Sequence, residues 1–264
     1  MTETPPPGEA ARRNLRVNLF AGILLVIFAA QVLSSMVVKS ATFDEQVYAV
    51  AGYVYLDRGD FRLKRDAPPL LSTIAGLAMH VGELAGLRIA LPIPGPTWDR
   101  CKKWNLGAEW KFGREMFSHP GTDGFAALQV ARFPILLFGL LLGAYLFIWG
   151  RRLFGDAGAL LALGVFCLDP NMVAHSRVVS ADVPTAALMV VSHYYFYRLI
   201  TERGLRALGP FALAFAACLL IKYTGMLMLP SLGLVGLAAL VRPDLTGPAG
   251  AAPGPARLWV IRRG

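Results

Sequence analysis

Two adjacent carboxylates, Asp44 and Glu45, directly follow the first strongly apolar stretch of the chain. Ionised groups at a membrane surface are costly unless they meet a partner, a water-filled cavity or a substrate. A carboxylate in such a place accepts a proton from a reacting hydroxyl or orients a bound group. The alternative is a pair of solvated acids in the first turn of the next helix, with Thr42 as its N-cap.

A second polar segment separates two later apolar stretches and contains an imidazole, a guanidinium and a carboxylate, on His175, Arg177 and Asp182. Pro170 and Pro184 bracket it and predict backbone that is irregular or split into short helices, which membranes tolerate where it is buried in protein or faces a cavity. Structural roles are also available, since His175 can satisfy a helix end and Asp182 can cap the helix that follows.

A third polar position is Lys222, in the tight turn 222–225 between the last two apolar stretches. Its alternative role is to extend its ammonium to the lipid headgroups. Carboxylates, an imidazole and cations from three separate segments thus return to one membrane face. Because a bilayer otherwise excludes such groups, the sequence predicts that they share one site.

The composition is that of an integral membrane protein. The 264 residues are 55% hydrophobic and only 16% charged, against about 25% charged in soluble domains. The net charge of +9 would indicate nucleic acid if the basic residues clustered with aromatic side chains on one face. Here they punctuate apolar stretches, so membrane lipids with anionic headgroups are the predicted partners, and no nucleic acid is expected.

Apolar helices must position the polar groups, and the predicted fold class is an all-α polytopic membrane protein. Runs of about 20 apolar residues cross a bilayer core of about 30 Å. Six spans are predicted, at 19–38, 125–149, 157–174, 183–200, 208–221 and 224–241. The predicted domains are a disordered leader, 1–16, a transmembrane domain, 17–242, and a disordered tail, 243–264.

The arginines of the short loops place the N-terminus in the cytoplasm and loop 39–124 on the outer side, in a bacterial inner or plasma membrane. Within that loop, residues 43–57 have apolar positions at helical spacing, which is typical of a helix lying along the membrane surface. The stretch 68–91 is long enough to cross, but a crossing would move the later arginine pairs outward. An interfacial or re-entrant helix is therefore favoured there.

Several short motifs follow one another in a recognisable order. They are Phe43-Asp44-Glu45, the stretch from Gly59 to Leu70 with Pro68-Pro69, Ala131-Arg132-Phe133-Pro134, Arg151-Arg152-Leu153-Phe154-Gly155, the segment from Pro170 to Asp182, and Lys222-Tyr223-Thr224-Gly225. Together they resemble the lipid-carrier-dependent glycosyltransferases of the GT-C fold. In particular they resemble glycosyltransferase family 39, which includes the protein O-mannosyltransferases and the lipid A aminoarabinose transferases. Ala67 departs from the pattern, since members often have His or Lys immediately before Pro-Pro-Leu.

The resemblance implies transfer of a sugar from a polyprenyl-phosphate donor to a hydroxyl of a protein or lipid acceptor, on the outer side and with inversion at the anomeric carbon. Asp44 is the implied base, and Glu45 and Asp182 would orient the acceptor or a divalent cation. The implied phosphate-binding residues are Arg65, His175, Arg177 and Lys222. No dense ligand spacing marks a metal site, so the use of a divalent cation is left open.

Two alternatives belong to other functional classes. Family members usually continue through further spans, whereas this chain ends in a tail rich in Gly, Pro and Ala, which fits a truncated, non-catalytic membrane scaffold. A lipid or solute transporter would line its path with intramembrane charges. The near absence of ionisable residues within the spans disfavours the transporter.

Overall fold

The computed structural model describes residues 7–101, 107–202 and 205–241, and these ranges form helices without any β-strand. The helices are α1 (Pro7–Val38), α2 (Glu45–Arg58), α3 (Leu70–Leu84), α4 (Pro96–Arg100), α5 (Ala108–Phe117), α6 (Gly124–Leu168), α7 (Pro170–His175), α8 (Asp182–Glu202), α9 (Leu208–Ile221) and α10 (Met228–Val241). The predicted all-helical class is confirmed. The predicted tail, 243–264, lies outside the described residues.

Within the described residues, three helical stretches are long and apolar enough to cross a membrane: Ala11–Val38, Gly124–Leu168 and Tyr223–Val241. The remaining predicted spans also fall on helices, but α9 has only 14 residues. At 1.5 Å per residue it measures about 21 Å, less than the bilayer core of about 30 Å. The number of crossings therefore stays a prediction.

The start of α1 differs from the predicted disordered leader. The helix begins at Pro7, so residues 7–16 continue the first span instead of preceding it. Contacts with α6 hold this end, because Arg151 donates hydrogen bonds to the side-chain oxygens of Asn14 and Asn18. The polar composition that suggested disorder thus serves to pair one helix end with another.

The long helix α6 turns back on itself at Gly155, whose φ of 73° and ψ of −173° interrupt the helical backbone. A Cβ on Gly150 would lie 3.2 Å from Cα of Ala159. In a continuous helix these positions would be about 13 Å apart along the axis. The two parts of α6 are therefore packed side by side, as expected for the separately predicted spans that begin at 125 and 157.

The outer loop packs into the bundle more deeply than the sequence indicated. Most of α2 between Glu45 and Tyr55 is buried, where a helix lying along the membrane surface was predicted. The crossing of α2 and α3 depends on two glycines, since a Cβ on Gly52 would overlap the carbonyl of Ser72 and one on Gly76 would overlap the backbone of Gly52. Such close approach of small residues is the usual way to pack helices within a membrane.

Candidate active site

Glu45 forms a buried ion pair with Arg132, and both side chains are 0% exposed. Arg132 donates from Nε to Oε1 at 2.7 Å and from Nη2 to Oε2 at 2.9 Å. Backbone amides of Thr42 and Val179 donate to the same carboxylate at 2.7 and 3.0 Å. The carboxylate therefore has four short hydrogen bonds and no access to solvent.

The same guanidinium also ties down the end of α1, by donating to the carbonyls of Met36, Lys39 and Ser40. Burial on its own raises the pKa of Glu45, but the hydrogen bonds from Arg132 and from the Thr42 and Val179 amides bring it below its usual value. The ion pair thus joins α1, α2, α6 and the segment before α8, and it fixes the backbone from which the neighbouring polar groups project.

Asp44 has the opposite environment, although it is adjacent in the chain. It is exposed, and it precedes the first residue of α2 as the N-cap, the position that the sequence analysis had considered for Thr42. The indole Nε1 of Trp110 donates to its Oδ1 at 3.1 Å. Trp110 also stacks on Phe43 with ring centroids 5.5 Å apart, so an aromatic pair holds the Asp44 carboxylate at the surface of the protein.

Tyr48, one turn further along α2, is within the electrostatic influence of three carboxylates. Burial raises the pKa of its hydroxyl to about 12, and the negative charges of Asp66, Asp44 and Asp182 each contribute to the increase. These carboxylates come from three different parts of the chain. Asp44 and Asp182 therefore act on the same side chain, which supports the predicted convergence of their segments.

Asp182 contacts two of the other predicted site residues. Lys222 Nζ donates to its Oδ1 at 2.7 Å, and His175 Nδ1 lies 3.9 Å from its Oδ2. All three side chains are between 40 and 52% exposed. We refer to Asp44, Tyr48, Lys64, Asp66, Asp182 and Lys222 below as the Tyr48 cluster, with His175 at its edge.

The cation that reaches the Tyr48 cluster from the basic turn is Lys64, whereas the sequence analysis selected Arg65. The ammonium of Lys64 lies 4.9 Å from the ring centroid of Tyr48 and 6.0 Å from that of Trp110, and it donates to Asp66 at 2.6 Å. Arg65 donates instead to the carbonyls of Arg62 and Cys101. It lines an open cavity of about 460 Å³ together with Asp60, Phe61 and Arg62.

Arg177 lies next to the buried ion pair and is only partly satisfied. Its Nε and Nη1 atoms are buried and have no hydrogen-bond partner among the described residues. Burial lowers the pKa of its guanidinium, the charge of Arg132 lowers it further, and the charge of Glu45 acts in the opposite direction. Ser176 and Ser180 on either side also have buried, unpartnered hydroxyl oxygens. A segment with several unused donors is suited to an anionic group.

The cluster combines three carboxylates, of which Asp44 is not ion-paired within the described residues, with the ammonium groups of Lys64 and Lys222 at one end of the bundle. That arrangement can accept a proton at Asp44 and stabilise negative charge near Lys64 and Lys222. Within the described ranges, no three His, Cys, Asp or Glu side chains are grouped as a metal site would require.

Sequence reasoning passed over Arg132 and Lys64. The sequence could have indicated a buried ion pair for Arg132, because a guanidinium inside an apolar helix needs a partner. No such indication exists for Lys64, since three basic residues occur within 62–65 and only the fold decides which one faces Tyr48.

The helices and the polar cluster together define an integral membrane protein of the all-helical class, with an ionisable site at one end of its bundle. A family model described as dolichyl-phosphate-mannose-protein mannosyltransferase matches residues 124–246. This match supports the GT-C glycosyltransferase family for the chain and confirms the resemblance drawn from its motifs. It covers Arg132, Arg177, Asp182 and Lys222, while Asp44 and Lys64 precede it. Comparison with curated proteins and with solved structures gives no match.

Proposed function

We propose that this protein transfers a sugar from a polyprenyl-phosphate donor to a hydroxyl of its acceptor, with Asp44 as the base. The observation that carries the proposal is the arrangement around Tyr48, where the Lys64 ammonium lies beside the rings of Tyr48 and Trp110 and Trp110 donates to Asp44. Asp44, the N-cap of α2, and Asp182 of α8 both raise the pKa of Tyr48. The family match over the second half of the chain supplies the reaction class. Asp44 is the exposed carboxylate of the pair that follows α1, and only an exposed group can meet an acceptor.

The proposed step forms one carbon–oxygen bond, breaks another and transfers one proton. The acceptor oxygen attacks the anomeric carbon from the face opposite the phosphate, and its proton passes to the Asp44 carboxylate. The bond between the anomeric carbon and the phosphate oxygen breaks, and its electron pair stays on the phosphate. Attack from the opposite face inverts the configuration at the anomeric carbon.

Charge stabilisation in this scheme belongs to Lys64, Lys222 and Arg177. A lysine ammonium binds phosphate as a point charge, whereas arginine presents paired donors. Asp182 is occupied by Lys222, so we assign it the orientation of that ammonium. Glu45 is enclosed by four hydrogen bonds, and we assign it the positioning of Asp44 instead of a chemical role.

The test is the Asp44→Asn variant of the purified full chain, assayed with a polyprenyl-phosphate-linked mannose and a hydroxyl-bearing peptide. Loss of a general base should lower turnover by about 10² or more while donor binding is retained. Asp57→Asn is the matched control, because Asp57 lies on α2, the helix that Asp44 precedes, and its ion-pair partner among the described residues is the adjacent Arg58. Transfer at the parental rate by Asp44→Asn would reject Asp44 as the base, and no transfer by the parent would favour a non-catalytic scaffold.

We also propose that the Tyr48 cluster faces the outer side and the start of α1 the cytoplasm, from the arginine distribution. Ser118 is exposed near the end of α5, and Arg12 is exposed near the start of α1. An impermeant maleimide added to intact cells should label Ser118→Cys and leave Arg12→Cys unmodified. The three native cysteines are buried and give a low background. The reverse labelling pattern would reject the orientation while leaving the site chemistry untested by this experiment.

A further inference from the structure

A second charged cluster lies at the opposite end of the bundle, where the consecutive residues Arg151 and Arg152 diverge. Successive side chains on a helix point about 100° apart. Arg151 turns toward α1 and donates to Asp156 at 2.8 Å, while Arg152 turns toward α8 and donates to Glu202 at 2.6 Å. The two arginines therefore have different partners. Arg152, which faces α8, belongs to a group in which positive charges outnumber negative ones.

Glu202 is shared by two guanidinium groups. Arg152 donates to Oε1, and Arg198 donates to Oε2 from Nε at 2.8 Å and from Nη2 at 2.6 Å. Both guanidinium carbons also lie over the ring of Tyr194, at 5.4 and 5.9 Å from its centroid. We call these four residues the Glu202 cluster.

The cluster carries excess positive charge that no described residue neutralises. Hydrogen bonds from Arg198 and Arg152 lower the pKa of Glu202, which lies beyond the predicted span 183–200, to about 2, so the carboxylate is ionised at neutral pH. Two cations and one anion leave a net charge of +1. Nε and Nη2 of Arg152 and Nη1 of Arg198 make no hydrogen bond within the described residues, and Arg152 is 41% exposed.

The surroundings place the cluster at the level of lipid headgroups. Trp149, Tyr195 and Tyr197 lie beside it, and aromatic belts of this kind mark the membrane interface. Large apolar side chains close by in the chain are exposed, with Phe154 at 73% and Leu205 at 81%. A polar group bound here would therefore have apolar protein surface next to it, as a headgroup with acyl chains requires.

We propose that the Glu202 cluster binds the phosphodiester headgroup of an anionic phospholipid. Glu202 holds the two guanidinium groups side by side, and their remaining N–H donors are directed at the phosphate oxygens. Arginine forks match the geometry of phosphate oxygens, and basic pockets between membrane helices are suited to anionic headgroups. The site is separate from the Tyr48 cluster, so the proposal does not depend on the transfer reaction.

The experiment places the full chain in nanodiscs of equal parts phosphatidylcholine and phosphatidylglycerol and measures, by native mass spectrometry, the ratio of the two lipids retained on the protein. The parent should retain phosphatidylglycerol preferentially. Arg152→Gln should lower that preference about fivefold, and Arg152→Gln with Arg198→Gln about 25-fold. Arg58→Gln removes the same charge from an exposed arginine that pairs with Asp57 on α2, and it should leave the ratio unchanged.

Glu202→Gln provides a test of opposite sign. The glutamine amide oxygen can still accept a hydrogen bond from the guanidinium groups, while the loss of the negative charge raises the net positive charge of the cluster, so phosphatidylglycerol retention should rise. A merely structural ion-pair network would show no such rise. The proposal is overturned if the double arginine variant retains lipid like the parent, if Arg58→Gln loses as much preference, or if Glu202→Gln does not increase it. Should the arginine variants fail to fold, the Glu202→Gln result alone decides between the two outcomes.

Discussion

Asp44 and Glu45 are neighbours in the chain, but the fold gives them opposite environments. The Glu45 carboxylate is fully buried and accepts four hydrogen bonds, two of them from Arg132. The Asp44 carboxylate is exposed and accepts one from Trp110. One acid therefore has every oxygen lone pair engaged by the protein, while the other keeps lone pairs available to a ligand.

Two adjacent acids at a membrane surface can therefore have different roles. A buried charge is tolerated only when it is paired and hydrogen-bonded, and such pairing leaves no proton-accepting capacity. The exposed neighbour, Asp44, is held in position by the same turn, but its oxygen lone pairs are not all engaged by the protein. In this protein the buried acid helps to position the exposed one, because the Arg132 ion pair fixes the turn from which Asp44 projects.

The largest expected effect is on stability, from Glu45→Ala. The change leaves the Arg132 guanidinium buried beside carbonyls alone, and removal of one partner of a buried ion pair costs about 3–5 kcal/mol. The melting temperature in detergent should fall strongly, with a matching loss of monodisperse protein. Asp44→Ala is the control and should change the free energy of unfolding by only about 1 kcal/mol, because it loses one exposed hydrogen bond from Trp110.

A rescue variant sharpens this test. Replacement of both partners, Glu45→Leu with Arg132→Met, removes the unpaired charge and should recover part of the lost stability. An unchanged melting temperature in Glu45→Ala would contradict the structural role assigned to this carboxylate, and the two acids would then be less different than the fold indicates.

The contrast also explains how far sequence reasoning reaches. The apolar runs predicted helices at the right places, and the proline-bracketed segment with His175 and Asp182 was correctly expected to be broken backbone. The role of Glu45 could not be predicted from the sequence, because its partner Arg132 is 87 residues away and no local pattern links two such positions. For the same reason the depth at which α2 is buried depends on the glycine contact with α3, which periodicity does not reveal.

A second neighbouring pair, Lys64 and Arg65, extends the comparison to cations. Lys64 faces Tyr48 and Trp110, whereas Arg65 donates to two backbone carbonyls. Lys64→Gln should therefore weaken binding of a polyprenyl-phosphate donor about tenfold or more, the value of a hydrogen bond to a charged group. Arg65→Gln should weaken it less. The measurement is the donor affinity of both variants by titration. Equal losses of affinity would show that the basic turn acts only through its total charge.

Lowering the pH should reduce the free energy of unfolding through Glu45. The folded-state pKa of Glu45 is lowered, so the unfolded state binds more protons between that value and the model-compound value of 4.5. The stability that Glu45 provides is therefore complete above about pH 4.5 and is lost as the pH falls through the folded-state pKa, by at most about 1.4 kcal/mol per pH unit. Denaturant unfolding of Asp44→Asn should keep this slope. Glu45→Gln should have a lower free energy of unfolding, and this free energy should depend less on pH over the same range. An equal pH dependence in that variant would assign the acid sensitivity to other groups.

The smallest expected effect is that of Tyr48→Phe. The ring of Tyr48 lies beneath the Lys64 ammonium and packs against the hydrophobic clusters on both sides, and these contacts survive the loss of the hydroxyl. Its pKa of about 12 keeps the hydroxyl protonated at neutral pH, so it offers a weak donor among three carboxylates and no charge. Turnover and unfolding free energy should each change by less than about 0.5 kcal/mol. Tyr48→Leu, which removes the ring as well, should weaken donor binding as Lys64→Gln does. If Tyr48→Phe reduced turnover as much as Asp44→Asn, the hydroxyl would have to contact the reacting groups, and the proposal that Asp44 alone acts as the base would be wrong.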